Sequence, residues 1–205
     1  MANIRITCKM CRREGVSICG RDNCALKKRG YLPGVHGPKM IRRRARMSSY
    51  GEQLREKQKA KRLYGIMERQ FRRYFEDSTN KQGNTADNLV TLLELRLDNV
   101  VHRLGYATTR RQARQMVSHG FVEVNGVRVD IPSYRVRVGE IITLRENKKK
   151  SELVKQMTER LATHKTPQWL TMDATNMTGK VTSIPVGEDL ESIFDPTLIV
   201  EFYSR

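Results

Sequence analysis

The sequence predicts an α+β protein that is mainly helical, and three observations carry that expectation. Apolar residues recur at helical spacing through most of residues 49 to 164. A block of alternating residues around Asn125-Gly126 supplies a strong strand signal. Residues 1 to 45 form a basic, extended arm, too broken by Gly30, Pro33, Gly34, Gly37 and Pro38 to pack a core of their own.

Taken in order, Ser49 and Glu52 have the spacing of a capping box and open a helix that Gly65 ends. Its apolar stripe (Tyr50, Leu54, Ala60, Leu63) is thin, which predicts that one face meets a charged partner. In the next helix Met67, Phe71, Tyr74 and Phe75 form a core stripe, leaving Arg69, Arg72 and Arg73 to point elsewhere. Beyond a loop at residues 80 to 84, Leu89, Leu93, Leu97, Val100 and Leu104 predict one long helix that stops at Gly105. Thr109 and Gln112 open a shorter helix in which Ala113, Met116 and Val117 face one way and Arg111, Arg114, Gln115 and Ser118 the other.

Asn125-Gly126 is the dipeptide that a type I′ turn favours, because both central residues need positive φ, so residues 121 to 130 read as a hairpin. Tyr134, Val136 and Val138 predict a further strand, and residues 140 to 146 another. Leu153, Val154, Met157 and Leu161 predict a helix reaching about His164. The rest reads as an acidic tail: residues 151 to 205 hold 5 basic and 8 acidic side chains. The domain expectation is therefore 1–45 arm, 46–93 helical domain, 94–150 a unit of two helices and a small antiparallel sheet, and 151–205 helix and tail.

The formal charge is +17, and it is concentrated: residues 1 to 75 carry 21 Lys and Arg against 5 Asp and Glu, while the remainder carries 18 against 17. Such an excess repels itself unless a polyanion neutralises it, which makes nucleic acid the leading partner. No run of 18 apolar residues exists and the first residues lack a signal-peptide pattern, so a cytoplasmic location with no membrane association is expected. No nucleophile, base and orienting group stand together in the pattern, so no catalytic residue is expected and the reading is non-enzymatic, with no small-molecule substrate.

All four cysteines fall within residues 8 to 24, with gaps of two, seven and four. A C-x-x-C pair followed by a second close pair can wrap four thiolates, Cys8, Cys11, Cys19 and Cys24, around a tetrahedral zinc ion. Bare thiols or an iron–sulfur cluster are the alternatives. Lys9, Arg12, Arg13 and Arg21 would lower the thiol pKa values. With four sulfur ligands the ion would order the arm and leave no open position for chemistry.

The stretch from Leu92 to Glu140, running from "LLELRLDNVVHRLGY" through "TTRRQARQMVSHGFVEVNGVRVD", resembles the S-four RNA-binding module. The flanking "YLPGVHG", "LREKQKAKRLYGIMERQFRRYF" and "IVEFYSR" resemble the bacterial S-four family of small-subunit ribosomal proteins. That resemblance implies a module inserted into a helical domain to which the tail returns. It also implies a structural constituent of the small subunit that binds its ribosomal RNA early in assembly. Neighbouring ribosomal proteins, and messenger RNA where it enters the subunit, are then partners, with an influence on decoding accuracy. His36 lies in a turn motif that matches the family.

On this reading Arg42, Arg43, Arg44, Arg46, Lys57, Arg62, Arg69, Arg72 and Arg73 neutralise phosphate. Arg110, Arg111, Arg114, Gln115 and His119 place the shorter helix on structured RNA. Two alternatives use the same module: a ribosome-rescue or quality-control factor, and an RNA-modifying enzyme, for which the chain leaves little room.

Overall fold

The computed structural model describes residues 6–38, 47–149, 151–161, 164–173 and 175–205. Two compact units emerge: Met1–Leu89 with Ser192–Arg205, and Val90–Glu191.

The first unit opens on two short helices in the cysteine segment, α1 (Cys8–Glu14) and α2 (Ala25–Lys28). Its main helices are α3 (Ser49–Leu63), α4 (Glu68–Thr79), the first part of α5 (Thr85–Glu94) and α10 (Pro196–Tyr203). The cap of α3 is Ser48, one residue before the expected position, whose hydroxyl accepts from the Gly51 amide. Asp195 caps α10 and Pro196 fills its first turn, where the missing N–H costs nothing.

α3 packs along α10, and its buried face keeps Ala60 and Leu63 of the expected apolar stripe but has Gln53 and Lys57 in place of Tyr50 and Leu54. The two polar side chains there each make one close pair, although the buried Gln53 Oε1 has no hydrogen-bond partner among the described residues. Gln53 donates to Glu201 at 2.7 Å. The Lys57 ammonium lies 2.8 Å from Glu68 and 4.2 Å from the centre of the Phe202 ring. Phe71 and Tyr74 are buried as expected, and Phe75 stacks on Tyr203 at 4.9 Å.

In the second unit the long helix expected over residues 89 to 104 is two. α5 ends at Glu94 and α6 (Leu97–Arg103) starts three residues on. Between them the chain is extended and pairs once with residues 134–136: the Val136 amide donates to Leu95 and the Leu97 amide to Tyr134. This explains a second difference. Residues 134–138 alternate correctly for a strand, yet their partner is a two-residue gap between helices, so the ladder stops at the single bridge between Arg96 and Arg135.

α7 (Arg110–Ser118) is capped by Thr109, whose hydroxyl accepts from Gln112, while the Gln112 side chain reaches back to the Thr108 amide. β1 (Val122–Val124) and β2 (Val127–Arg128) form the hairpin, with Asn125 at φ 50° and Gly126 at φ 79° as a type I′ turn requires. β3 (Ile141–Leu144) follows, then α8 (Glu146–Lys149) and α9 (Glu152–Leu161).

The tail departs furthest from expectation. β4 (Leu170–Asp173) and β5 (Thr178–Val181) join a five-stranded antiparallel sheet of order β2-β1-β3-β5-β4. Residues 151–191 therefore belong with the second unit and only 192–205 return to the first. Val181, Leu170 and Trp169 enter one apolar core with Leu104, Val122, Ile142 and Met157, and burying that surface outweighs the polar character of the segment.

Candidate nucleic-acid interface and cysteine cluster

α7 separates its cations by face. Ala113, Met116 and Val117 are buried against the core, and Arg111, Gln115 and His119, at four-residue intervals, are exposed in one row. Such a row presents guanidinium, amide and imidazole donors from a rigid mount, which suits phosphate and ribose oxygens.

Arg110 and Arg114, expected in the same role, form a second row that turns inward. Arg110 donates through Nε to Asn99 at 2.8 Å and through a terminal nitrogen to Glu191 at 2.5 Å. Arg114 reaches Asp98 at 3.4 Å, and Asp98 also takes a two-pronged bond from the fully buried Arg96 at 3.0 and 2.7 Å. Asp98 is buried, which these guanidinium partners make tolerable. The same lattice includes Arg103, which grips buried Glu94 with two bonds of 3.0 Å and touches Glu191 at 3.2 Å. His102 sits beside it. Burial, then the charges of Arg110 and Arg103, hold its imidazole down at about 4, so it stays neutral and donates from Nδ1 to the Ala107 carbonyl at 3.1 Å.

The first unit shows the same division. Arg69, Arg72 and Arg73 are exposed on α4, and Arg72 makes a solvent-exposed 3.3 Å pair with Glu76. Lys57, expected among the phosphate-neutralising cations, is instead buried under α10 and paired with Glu68 at 2.8 Å. Arg62 is also committed internally, 2.7 Å from Glu14, which takes Arg55 at 2.8 Å through its other oxygen. Glu14 is 2% exposed and joins the end of α1 to α3. His36 is exposed in its turn, and Arg42, Arg43, Arg44 and Arg46 lie outside the described residues.

The thiols of Cys8, Cys19 and Cys24 lie within 4.8 Å of one another, an arrangement able to hold a metal ion. Cys11 is fully buried and stands outside that trio, in contact with Cys19. Between those two, burial pushes the Cys11 thiol up to about 12. Burial opposes ionisation of Cys19 as well. The backbone amide of Arg21 and the thiols of Cys24 and Cys11 outweigh it and bring Cys19 below its ordinary value. The expected cationic side chains are not the cause. Arg12 is turned away, donating to the carbonyls of Tyr31 and Leu32 at 2.9 and 3.0 Å and lying over the Tyr31 ring.

Sequence reasoning did not single out Glu14, Glu94, Arg103 or Glu191. All but Glu94 contact residues from 41 to 88 positions away, so no local pattern marks them.

A family model described as the ribosomal protein S4/S9 N-terminal domain matches residues 3–94, and one described as the S4 domain matches residues 95–142. The small ribosomal subunit protein uS4 of Acetivibrio thermocellus is 49% identical over 205 residues, covering 97% of this chain and 97% of that protein. The chain belongs to the uS4 family. Proteins of the same name from Syntrophomonas wolfei and Thermus thermophilus are each 48% identical over 204 residues, covering 97% of this chain and 96% of theirs. The first matched region holds the cysteine cluster and the cation face of α4, and the second holds α7 and the hairpin. Among the described residues no helix is long and apolar enough to cross a membrane.

Proposed function

We propose that this chain is a structural, non-enzymatic constituent of the small ribosomal subunit in the cytoplasm, binding small-subunit ribosomal RNA. The observation that carries the reading is identity near one half over almost the whole of both chains with proteins named small ribosomal subunit protein uS4. The rescue-factor and modifying-enzyme alternatives share the module but would not be expected to share the flanks. Early binding in assembly, contact with neighbouring ribosomal proteins, and a position where messenger RNA enters, with its effect on accuracy, belong to the same proposal.

Phosphate contacts then come from the exposed cations of α4, from Arg111, Gln115 and His119 on α7, and from Arg42, Arg43, Arg44, Arg46 and His36 in the arm. Zinc, held by Cys8, Cys19 and Cys24 with Cys11 as fourth donor, would order the arm; the three gathered thiols support this.

The test is filter or fluorescence binding to transcribed small-subunit ribosomal RNA. Arg111→Glu should weaken binding about tenfold or more with an unchanged melting temperature. Arg114→Glu should also lower the melting temperature, because it sets a carboxylate against Asp98. Equal binding by the Arg111→Glu variant and the parent removes α7 from the interface, and a copy number far below one per purified small subunit removes the constituent role.

A further inference from the structure

The lattice beneath α7 contains a carboxylate in an unusual position. One oxygen of Glu191, Oε2, lies 2.5 Å from a terminal nitrogen of Arg110 and 3.2 Å from a terminal nitrogen of Arg103. Two guanidinium groups converging on one anionic oxygen is the geometry with which proteins hold a phosphate oxygen. We infer that Arg103 and Arg110 form an RNA phosphodiester site, occupied in the free protein by the Glu191 carboxylate, which an RNA phosphate displaces. The inference rests on the RNA-binding reading above.

Three features distinguish this arrangement from a fixed structural ion pair. First, each arginine has a second anchor that survives the loss of Glu191. Arg103 keeps both bonds to Glu94, which is fully buried, and Arg110 keeps Asn99, which is 1% exposed and is itself fixed by bonds to the Glu94 carbonyl and carboxylate. The cradle is therefore organised by residues other than its occupant.

Second, Glu191 stands on irregular chain. It follows the short 3-10 turn Gly187–Asp189 and precedes the Asp195 cap of α10, so its side chain can swing out without unwinding a helix or breaking a ladder. Glu94 and Asp98, in contrast, are built into α5 and α6.

Third, the charge balance favours exchange. Among the ion pairs described, Arg96, Arg103, Arg110 and Arg114 meet Glu94, Asp98 and Glu191, and withdrawing Glu191 takes one of those negative charges away from Arg103 and Arg110. Glu191 is also the acid nearest the surface, at 10% side-chain exposure against 0% for Glu94 and 6% for Asp98. An incoming phosphate meets that carboxylate first, at the root of the helix whose outer row, Arg111, Gln115 and His119, is aimed at RNA.

The occupant has a physical use. Two converging arginines left bare would attract any polyanion, whereas a covalently tethered carboxylate is displaced only by a phosphate that the rest of the interface already holds in place.

The test compares parent, Glu191→Gln, Arg110→Gln and the double variant, each as the full chain, for binding to transcribed small-subunit ribosomal RNA across a salt series. Glutamine keeps the shape and one acceptor but not the charge. Glu191→Gln should bind about three- to tenfold tighter at physiological salt, and the slope of log affinity against log salt should steepen by up to about one unit, the share of one phosphate. In the Arg110→Gln background the gain should disappear. Glu146→Gln, which removes an equal charge from an 81% exposed site on α8, should leave affinity almost unchanged. Melting curves establish that each variant is folded, and Glu191→Asp, with its carboxylate withdrawn by one methylene, serves if glutamine is not tolerated and should give a smaller gain.

Weaker binding by folded Glu191→Gln would mean the acid positions the arginines rather than occupying their site, and would overturn the inference. So would an unchanged affinity and slope, or a gain that persists without Arg110. Should the parent itself fail to prefer ribosomal RNA over polyuridylate, the RNA-binding reading beneath this one falls instead.

Discussion

Replacing Glu68 by glutamine isolates one polar group on which α3, α4 and α10 converge. Its Oε1 accepts from Lys57 at 2.8 Å and from the Tyr203 hydroxyl at 2.8 Å, and its Oε2 from Lys61 at 2.9 Å. Burial alone would raise this carboxyl. Hydrogen bonds from Lys57, Lys61 and Tyr203 overcome that and bring it from 4.5 down to about 2. Each unit is equivalent to about 1.36 kcal/mol, but the Glu68 side chain is 45% exposed, so solvent screening reduces the full value to about 1–2 kcal/mol of stability at neutral pH.

The sign is fixed by the direction of the shift. A carboxyl with a depressed folded pKa stabilises above its unfolded value, and that contribution is lost as pH falls from 4.5 through about 2. Denaturant titration followed by far-ultraviolet circular dichroism at pH 7 and at pH 2 to 3 should show Glu68→Gln less stable by about that amount at neutrality, with the gap closing in acid. Amide exchange in α10 should accelerate first, because glutamine takes the negative charge away from the buried Lys57 ammonium, which lies against the rings of Phe202 and Tyr203 on that helix. A gap that is equally wide at low pH, or absent at pH 7, would refute the account of Glu68 as an ionised anchor.

Other perturbations test separate parts of the structure. Tyr106→Phe removes a hydroxyl that donates to the Met177 carbonyl at 2.7 Å in the core, and should cost about 1–3 kcal/mol, read from the emission of Trp169, the single tryptophan. Gly37→Ala would place a Cβ 1.8 Å from the Leu32 carbonyl oxygen, which also accepts from Arg12. The turn that carries His36 should come away from α1, making residues 29 to 38 more sensitive to protease with the Trp169 emission unaltered. Chelation at neutral pH should release about one zinc ion per chain and speed amide exchange over residues 8 to 28 while leaving Trp169 unaffected; a chain that contains no zinc as isolated would end the metal reading.

What could be read from the sequence was what local rules govern. The Asn125-Gly126 turn, the Thr109 cap and the apolar face of α7 depend on neighbours a few residues away, and each lies where its pattern placed it. The break at Leu95 to Leu97 was hidden because its cause, pairing with Tyr134 and Val136, lies some 40 residues along the chain; the leucine stripe continues through it without interruption. β4 and β5 were hidden because Thr171, Asp173, Thr178 and Lys180 make the segment look like a polar tail. Yet Leu170, Met172 and Val181 carry the period-two signal that would have revealed them.

The candidate site was partly legible for the same reason. Composition identifies a cation but not whether an acid waits for it, and in this chain that decides its role. Arg62 and Arg55 meet Glu14, Lys57 meets Glu68, and Arg110 and Arg114 meet Glu191 and Asp98. These acids come from four separate stretches of sequence. Each converts a side chain with the look of a phosphate ligand into a fixed point of the fold, or, at Glu191, into a site held in reserve. Among the candidate cations that stay exposed, Arg69, Arg72 and Arg73 on α4 and Arg111 on α7 stand on helices whose opposite faces are packed. A polyanion docking there meets a backbone already held in position, so the ordering cost is confined to the side chains themselves. These four acids thus do more than offset charge: they decide which of the candidate cations stay exposed and which are tied into the fold.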